Sequence, residues 1–210
     1  MVRGEASGPP MPPRTKRFGL RKLAYYIAVS IDGFIAAPDG RADDYPISEE
    51  FTAYAAKEYP ETIPAHIRPV LGIADARNVH FDTVIMGRKT YDPALEADIT
   101  SPYAHMRQYV VSRSLGQSPD PAVEIVTGDV VATVRALKAE DGLGIYLAGG
   151  ADLAGQLRDE IDELHVKTYP ILLGSGIPMI SAEFGVTGFE LVDSRVFDNG
   201  LIFSRYTRKR

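Results

Sequence analysis

Three short segments of this chain carry glycines, hydroxyls or basic side chains in close succession. They are Met86-Gly87-Arg88-Lys89-Thr90, Ser112-Arg113-Ser114 and Ala148-Gly149-Gly150-Ala151-Asp152-Leu153. All three suit phosphate. Glycines let a phosphate approach the backbone with no Cβ in the way. A helix start leaves N–H groups unpaired and carries partial positive charge. Guanidinium groups grip phosphate oxygens through charge-assisted hydrogen bonds. Taken singly, a Gly-Gly turn also serves tight geometry and a basic pair also serves a solvated surface. Three such segments in one chain predict a dinucleotide carrying an extra phosphate, NADPH in preference to NADH.

Other chemistries lack their residues. No G-x-G-x-x-G follows the first strand-like segment, and no G-x-x-x-x-G-K-[ST] is present, so a Rossmann domain and a P-loop are disfavoured. His66, His80, His105 and His165 lie at no ligand spacing and are expected to be surface or internally satisfied side chains, with no metal site. Ser30, Ser175 and Ser181 lack the setting of a nucleophile elbow.

The three segments fall where strands should end. Leu23 to Ile31 is apolar, β-branched and aromatic, and predicts a buried strand. Asp32 to Ile47 predicts a loop with a Pro38-Asp39-Gly40 turn. Ser48 can cap a helix to about Tyr59 whose inner face carries Phe51, Tyr54 and Ala55. Pro60 and Pro64 break the chain, and residues 61–78 read as a short helix and a loop. Phe81–Met86, Met106–Val111, Val123–Val126, Gly144–Ala148 and Leu164–Tyr169 predict further strands. Helices are expected after Gly87, after Asp129 (Val130, Val134 and Leu137 on one face) and from Gly150 to about Arg158. Strands near 188–197 and 201–207 flank Asp198-Asn199-Gly200, a hairpin turn. Alternating strands and helices followed by a hairpin predict a single α/β domain with a mostly parallel sheet and an antiparallel C-terminal edge.

Composition narrows the class. The chain has 210 residues, no cysteine and a net charge of −5, with an isoelectric point near 5.4. That balance argues against a nucleic-acid partner, and the absence of cysteine removes thiol chemistry. No apolar run is long enough to span a membrane. Arg21-Lys22 before Leu23–Ile31 resembles a short signal peptide, but the segment alternates like a strand and runs into Asp32-Gly33 without a cleavage site. A cytoplasmic location is expected. Residues 1–20 are rich in proline and basic residues and predict a disordered tail, leaving the domain at residues 21–210.

Several stretches resemble the dihydrofolate reductase superfamily. The nearest branch is the reductase domain of bacterial bifunctional riboflavin-biosynthesis deaminase-reductases and its stand-alone relatives. Ala28-Val29-Ser30-Ile31-Asp32-Gly33-Phe34-Ile35-Ala36 resembles the opening strand and loop of that family. Phe81 to Tyr91, Tyr109 to Arg113, the Ala148-Gly149-Gly150 turn, Asp162 to Gly176 and the terminal hairpin resemble its later signatures in order. The resemblance covers about residues 22 to 207 and implies a dihydrofolate reductase-like three-layer fold.

It also implies roles. Arg88, Arg113 and Ser112 would hold the adenosine 2′-phosphate, and Gly87, Lys89 and Thr90 would form a helix start near the phosphates. Gly149, Gly150, Ala151, Asp152 and Leu153 would hold the pyrophosphate, with a cis bond between Gly149 and Gly150. Ala28 and Ile35 would pack near the nicotinamide. Asp32 would stand in the substrate pocket, although it equally suits a turn before Gly33. Glu49 and Glu50 fall near the acid that dihydrofolate reductases place on their first helix, and they equally favour a helix N-terminus. Asp32 and Glu50 are thus the candidate catalytic acids. The sequence lacks the mobile-loop tryptophan of true dihydrofolate reductases, and no zinc-binding deaminase domain precedes the reductase segment. A small heterocycle resembling the uracil substrate of the riboflavin-pathway reductase is therefore expected as hydride acceptor. A non-catalytic NADPH-binding protein, a flavin-dependent enzyme and a true dihydrofolate reductase are the rivals. The resemblance also implies a homodimer, and the apolar run Ile171-Leu172-Leu173 fits either a dimer contact or the core.

Overall fold

The computed structural model describes residues 20–209, so the tail expected over residues 1–20 lies outside the described residues except for Leu20. In chain order, β1 (Leu23–Ser30) and the short β2 (Phe34–Ala36) lead to α1 (Glu49–Glu58) and a 3-10 turn at Pro60–Thr62. β3 (Phe81–Gly87) enters α2 (Arg88–Glu96), and β4 (Arg107–Val111) and β5 (Val123–Val126) precede α3 (Val130–Lys138). β6 (Gly144–Gly149) enters α4 (Ala151–Gln156), followed by β7 (Glu163–Tyr169), β8 (Ile177–Pro178), β9 (Phe189–Val196) and β10 (Ile202–Arg208).

Eight strands form one sheet in the order β5-β4-β3-β6-β1-β7-β10-β9. The pairs from β5 across to β7 are parallel. β10 runs antiparallel to both β7 and β9. The expected parallel sheet with an antiparallel hairpin edge is therefore present. At the hairpin turn Gly200 adopts φ +81°, a conformation glycine takes without Cβ strain, and its N–H donates to the Phe197 carbonyl at 2.9 Å.

Strand alternation divides the core into two layers on either side of the sheet. Leu23, Tyr25, Ile85 and Leu147 pack beneath Val130, Val134 and Leu137 of α3 and Leu153 and Leu157 near α4. Their neighbours Ala24, Tyr26, Val84 and Met86 face the other way, with Phe51 and Ala55 of α1, Tyr91 of α2, and Phe203. With helices on both faces, the arrangement is the expected three-layer fold. Ser48 caps α1 by accepting the Phe51 N–H at 3.0 Å, and Asp129 caps α3 through the Ala132 N–H at 3.0 Å.

Two local expectations need correction. The segment 32–47 is not all loop, because Phe34–Ala36 pairs antiparallel with β8. The approach is close: a side chain on Gly176 would start 2.2 Å from the Ala36 carbonyl oxygen. A three-residue strand is too short to show a period in sequence. Helix α4 ends at Gln156, before the expected Arg158, as the chain turns towards β7. Of the histidines, His66 is exposed, and His105 bonds the Glu61 carbonyl through Nε2 at 2.9 Å but leaves its buried Nδ1 without a partner. His165 is not fully satisfied: it is buried, with Nε2 against Glu163 and Nδ1 without a partner.

Candidate active site

The C-terminal ends of parallel strands form one rim, where open α/β sheets place their ligands. β4, β3 and β6 are neighbours in the sheet, so all three phosphate-suited segments end side by side. Gly87 lies level with Val111, and Met86 with Gly149. A Cβ on Gly87 would sit 3.6 Å from the Gly150 nitrogen and 3.7 Å from the Gly149 carbonyl oxygen, whereas the corresponding position on Gly150 meets nothing within 4 Å. The backbone around Gly150 is thus open on one side and walled by Gly87 on the other. The Gly149–Gly150 bond is cis. Ala151 and Leu153 are buried beneath this turn, and Asp152 is exposed. With α4 only six residues long, free N–H groups and open space matter more here than a helix dipole.

Charge on this side is available. Lys89 and Arg113 are exposed, and neither makes a hydrogen bond or ion pair among the described residues. Ser112 is buried, and its Oγ accepts the N–H groups of Ser114 at 3.2 Å and Leu115 at 2.9 Å, making a tight turn that holds Arg113 outward. Arg88 is less free, because its Nε donates to Asp92 one helical turn on. Thr90 is exposed at the start of α2, beside a cleft of about 260 Å³ lined by Met86, Pro93, Ala97 and Tyr103.

The other half of the rim lies at the ends of β1 and β7, beneath α1. Here the expected acids are engaged. Asp32 accepts from the Ser30 hydroxyl at 2.6 Å, the Leu173 N–H at 3.2 Å and the Gly174 N–H at 2.7 Å. The Ser30 bond, helped by these two amides, holds its carboxyl below the usual range. Asp32 is therefore an anionic clasp between the loop after β1 and the loop after β7, the turn role allowed from sequence. Glu50 accepts from Arg195 at 3.0 Å and from the Asp198 N–H at 2.9 Å, tying α1 to the hairpin. Ala28 and Ile35 are half-buried near this edge. Tyr45 and Tyr169 meet edge-on at 5.0 Å.

Reading the sequence missed Lys167. It lies mid-strand in β7, paired in register with Ala28 of β1 and Phe203 of β10. Its Nζ is 4.8 Å from the centre of the Tyr26 ring and 5.9 Å from that of Phe51. Burial pulls its ammonium down to about 8. The sequence signal was one lysine in the middle of a strand, but the face it takes depends on strand order.

The profile of the RibD C-terminal domain matches residues 21–203. The chain belongs to the RibD C-terminal domain family. It is 31% identical over 179 residues to the uncharacterized protein YwjB of Bacillus subtilis, covering 84% of this chain and 92% of YwjB. A crystal structure of a putative riboflavin biosynthesis protein from Shewanella sp. PV-4 aligns with a TM-score of 0.65 and 26% identity, over 90% of this chain and 99% of that one. A dihydrofolate reductase from Enterococcus faecalis, complexed with NADP(H) and RAB-propyl, aligns with a TM-score of 0.61 and 13% identity, over 90% of this chain and 97% of that one. The last likeness concerns the fold, which is dihydrofolate reductase-like. Among the described residues, no helix of this RibD-type domain is long and apolar enough to cross a membrane.

Proposed function

We propose that this protein is an NADPH-dependent reductase that transfers hydride to a small heterocyclic substrate of the pyrimidine or pterin kind. The observation that carries this reading is the adjacency of Gly87–Thr90, Ser112–Arg113 and Gly149–Leu153 at three neighbouring strand ends. The donors fit the cofactor. Arg113, with Arg88 and Ser112, would hold the 2′-phosphate. Lys89, Thr90 and the open backbone at Gly149–Leu153 would hold the remaining phosphates. Ala28 and Ile35 would flank the nicotinamide. When bound, NADPH supplies the hydride, and the chain's own task is to bind, orient and exclude water.

Support for a uracil-type substrate comes from the Shewanella relative, described as a putative riboflavin biosynthesis protein. Folate is the weaker reading, because both candidate acids, Asp32 and Glu50, already have their oxygens filled by protein donors. We read the protein as cytoplasmic and as a homodimer through its late strands. β9 is an edge strand that leaves Leu191, Val192 and Val196 exposed, and such edges call for cover.

Calorimetric titration of the wild type with NADPH and NADH tests the central reading. The expected result is a preference for NADPH that shrinks when Arg88→Ala and Arg113→Ala are combined. Equal affinities for the two nucleotides in the wild type would refute it. Turnover assays with the riboflavin-pathway ribosylaminouracil phosphate and with dihydrofolate separate the two substrate readings, and NADPH binding without turnover across a heterocycle panel would favour a non-catalytic role.

A further inference from the structure

Lys167 presents a problem that the fold alone does not explain. Its ammonium sits between the rings of Tyr26 and Phe51, yet it makes no hydrogen bond or ion pair among the described residues. Burial acts on it with no counter-charge to offset the effect. Lys167 is half-buried, and a cation partly withdrawn from water without an acceptor is costly, a cost that cation–π contact offsets in part at most. Two buried cations, Arg21 and Lys138, are provided for. Arg21 reaches Asp82, Thr83 and the Leu143 carbonyl, and Lys138 reaches Asp162 at 2.6 Å and the Glu160 carbonyl at 2.9 Å. Lys167 differs in position as well as pairing: it lies beside Ala28, in the half of the rim where the acids are already committed.

We propose that Lys167 faces the reducible group of the substrate, its Nζ donating a hydrogen bond to the acceptor heteroatom and passing it a proton as the neighbouring carbon is reduced. This rests on the reductase reading above. The balance is that of a C=N or C=O reduction by a reduced nicotinamide. The carbon gains the hydride with its electron pair, and the π pair moves to the heteroatom. A new N–H or O–H bond forms there as one Nζ–H bond breaks. The neutral amine then regains a proton from solvent. An ammonium near pKa 8 holds its proton at neutral pH and gives it up readily. The titratable groups on the surrounding elements are Tyr26 of β1, Glu50 and Tyr54 of α1, His165 and Tyr169 of β7, and Arg205 of β10. Burial keeps Tyr26, Tyr54 and Tyr169 neutral through the physiological range, Glu50 is held by Arg195, and Arg205 is held by Asp193.

The test uses the full chain as wild type, Lys167→Met and Lys167→Arg, with NADPH, and with NADP⁺ plus lumazine, uracil or pterin as probes. In protein carrying ¹³C-labelled lysine, one Cε resonance that is missing from Lys167→Met should titrate near pH 8. A bound probe should shift its midpoint. Probe affinity should fall at least tenfold in Lys167→Met and stay within about threefold in Lys167→Arg, while NADPH affinity stays within twofold in all three. Thermal unfolding at or above the wild-type temperature in Lys167→Met would show that the fold survives. A resonance titrating near the ordinary lysine value, or one that none of the three probes moves, overturns the proposal while NADPH binding is intact. So does a Lys167→Met protein that binds the probes like wild type. Absence of NADPH binding to the wild type overturns the reductase reading itself, and the proposal with it.

Discussion

The two halves of the rim use charge in opposite ways. At the ends of β3, β4 and β6, Lys89 and Arg113 point outward with no protein partner among the described residues, and the backbone at Gly150 is open. At the ends of β1 and β7, Asp32 and Glu50 spend their oxygens on Ser30, Leu173, Gly174, Arg195 and Asp198. In the first half the charges are left unused by the protein itself. In the second, carboxylates build the walls and the uncommitted charge is a lysine. A charged residue near a cleft therefore says little by its type alone, and what matters is whether the protein has already used it.

The largest expected effect tests the open half. Arg113→Ala should weaken NADPH binding by roughly 10–100-fold, the scale of losing hydrogen bonds to a charged phosphate. Arg88→Ala should cost less, because Asp92 already holds that guanidinium. NADH affinity should hardly change in either variant, and calorimetry reads all four values. A larger loss from Arg88 than from Arg113 would break the distinction between free and engaged charge.

The committed half answers through stability. Ser48→Ala removes the cap of α1 and should lower stability by about 1 kcal/mol, or roughly 2–4 °C in Tm for a chain of this size. NADPH affinity should be kept. Asp32→Asn should act through pH. Because the folded carboxyl titrates below its ordinary value, its contribution is present above about pH 4 and is lost as pH falls through the folded value. The variant should therefore unfold at lower urea than wild type at pH 7, with the gap narrowing as pH falls below about 4. A gap that did not narrow at all as pH falls below about 4 would mean that the carboxylate is not the clasp. The smallest stability change is expected away from the rim. Leu191→Lys on β9 should move stability by less than about 0.5 kcal/mol while converting the proposed dimer to monomer in sedimentation.

Local chemistry was legible in the sequence. Strand ends, the Ser48 and Asp129 caps and the Asp198-Asn199-Gly200 turn each depend on residues within a few positions, and each lies where composition places it. Relations across the chain were not legible. The amides that occupy Asp32 belong to residues 141 and 142 positions away, so its turn role and its pocket role looked alike. Lys167 became notable only once strand order set it beside Ala28 and beneath α1. The Arg88–Asp92 pair is the intermediate case: its i, i+4 spacing is visible in sequence, but whether the guanidinium turns to that partner or to a ligand is a matter of geometry.

The Asp32 clasp does not act alone. Ile31 donates to the Ile171 carbonyl at 3.0 Å, Met179 donates to the Gly33 carbonyl at 2.9 Å, and β2 pairs with β8. Residues 30–36 and 171–179 are therefore a single stitched piece of the molecule, although more than a hundred positions separate them. Anyone exchanging loops between relatives to retune selectivity has to carry both stretches together. Grafting one alone would strand amides and carbonyls that its absent counterpart was shaped to receive.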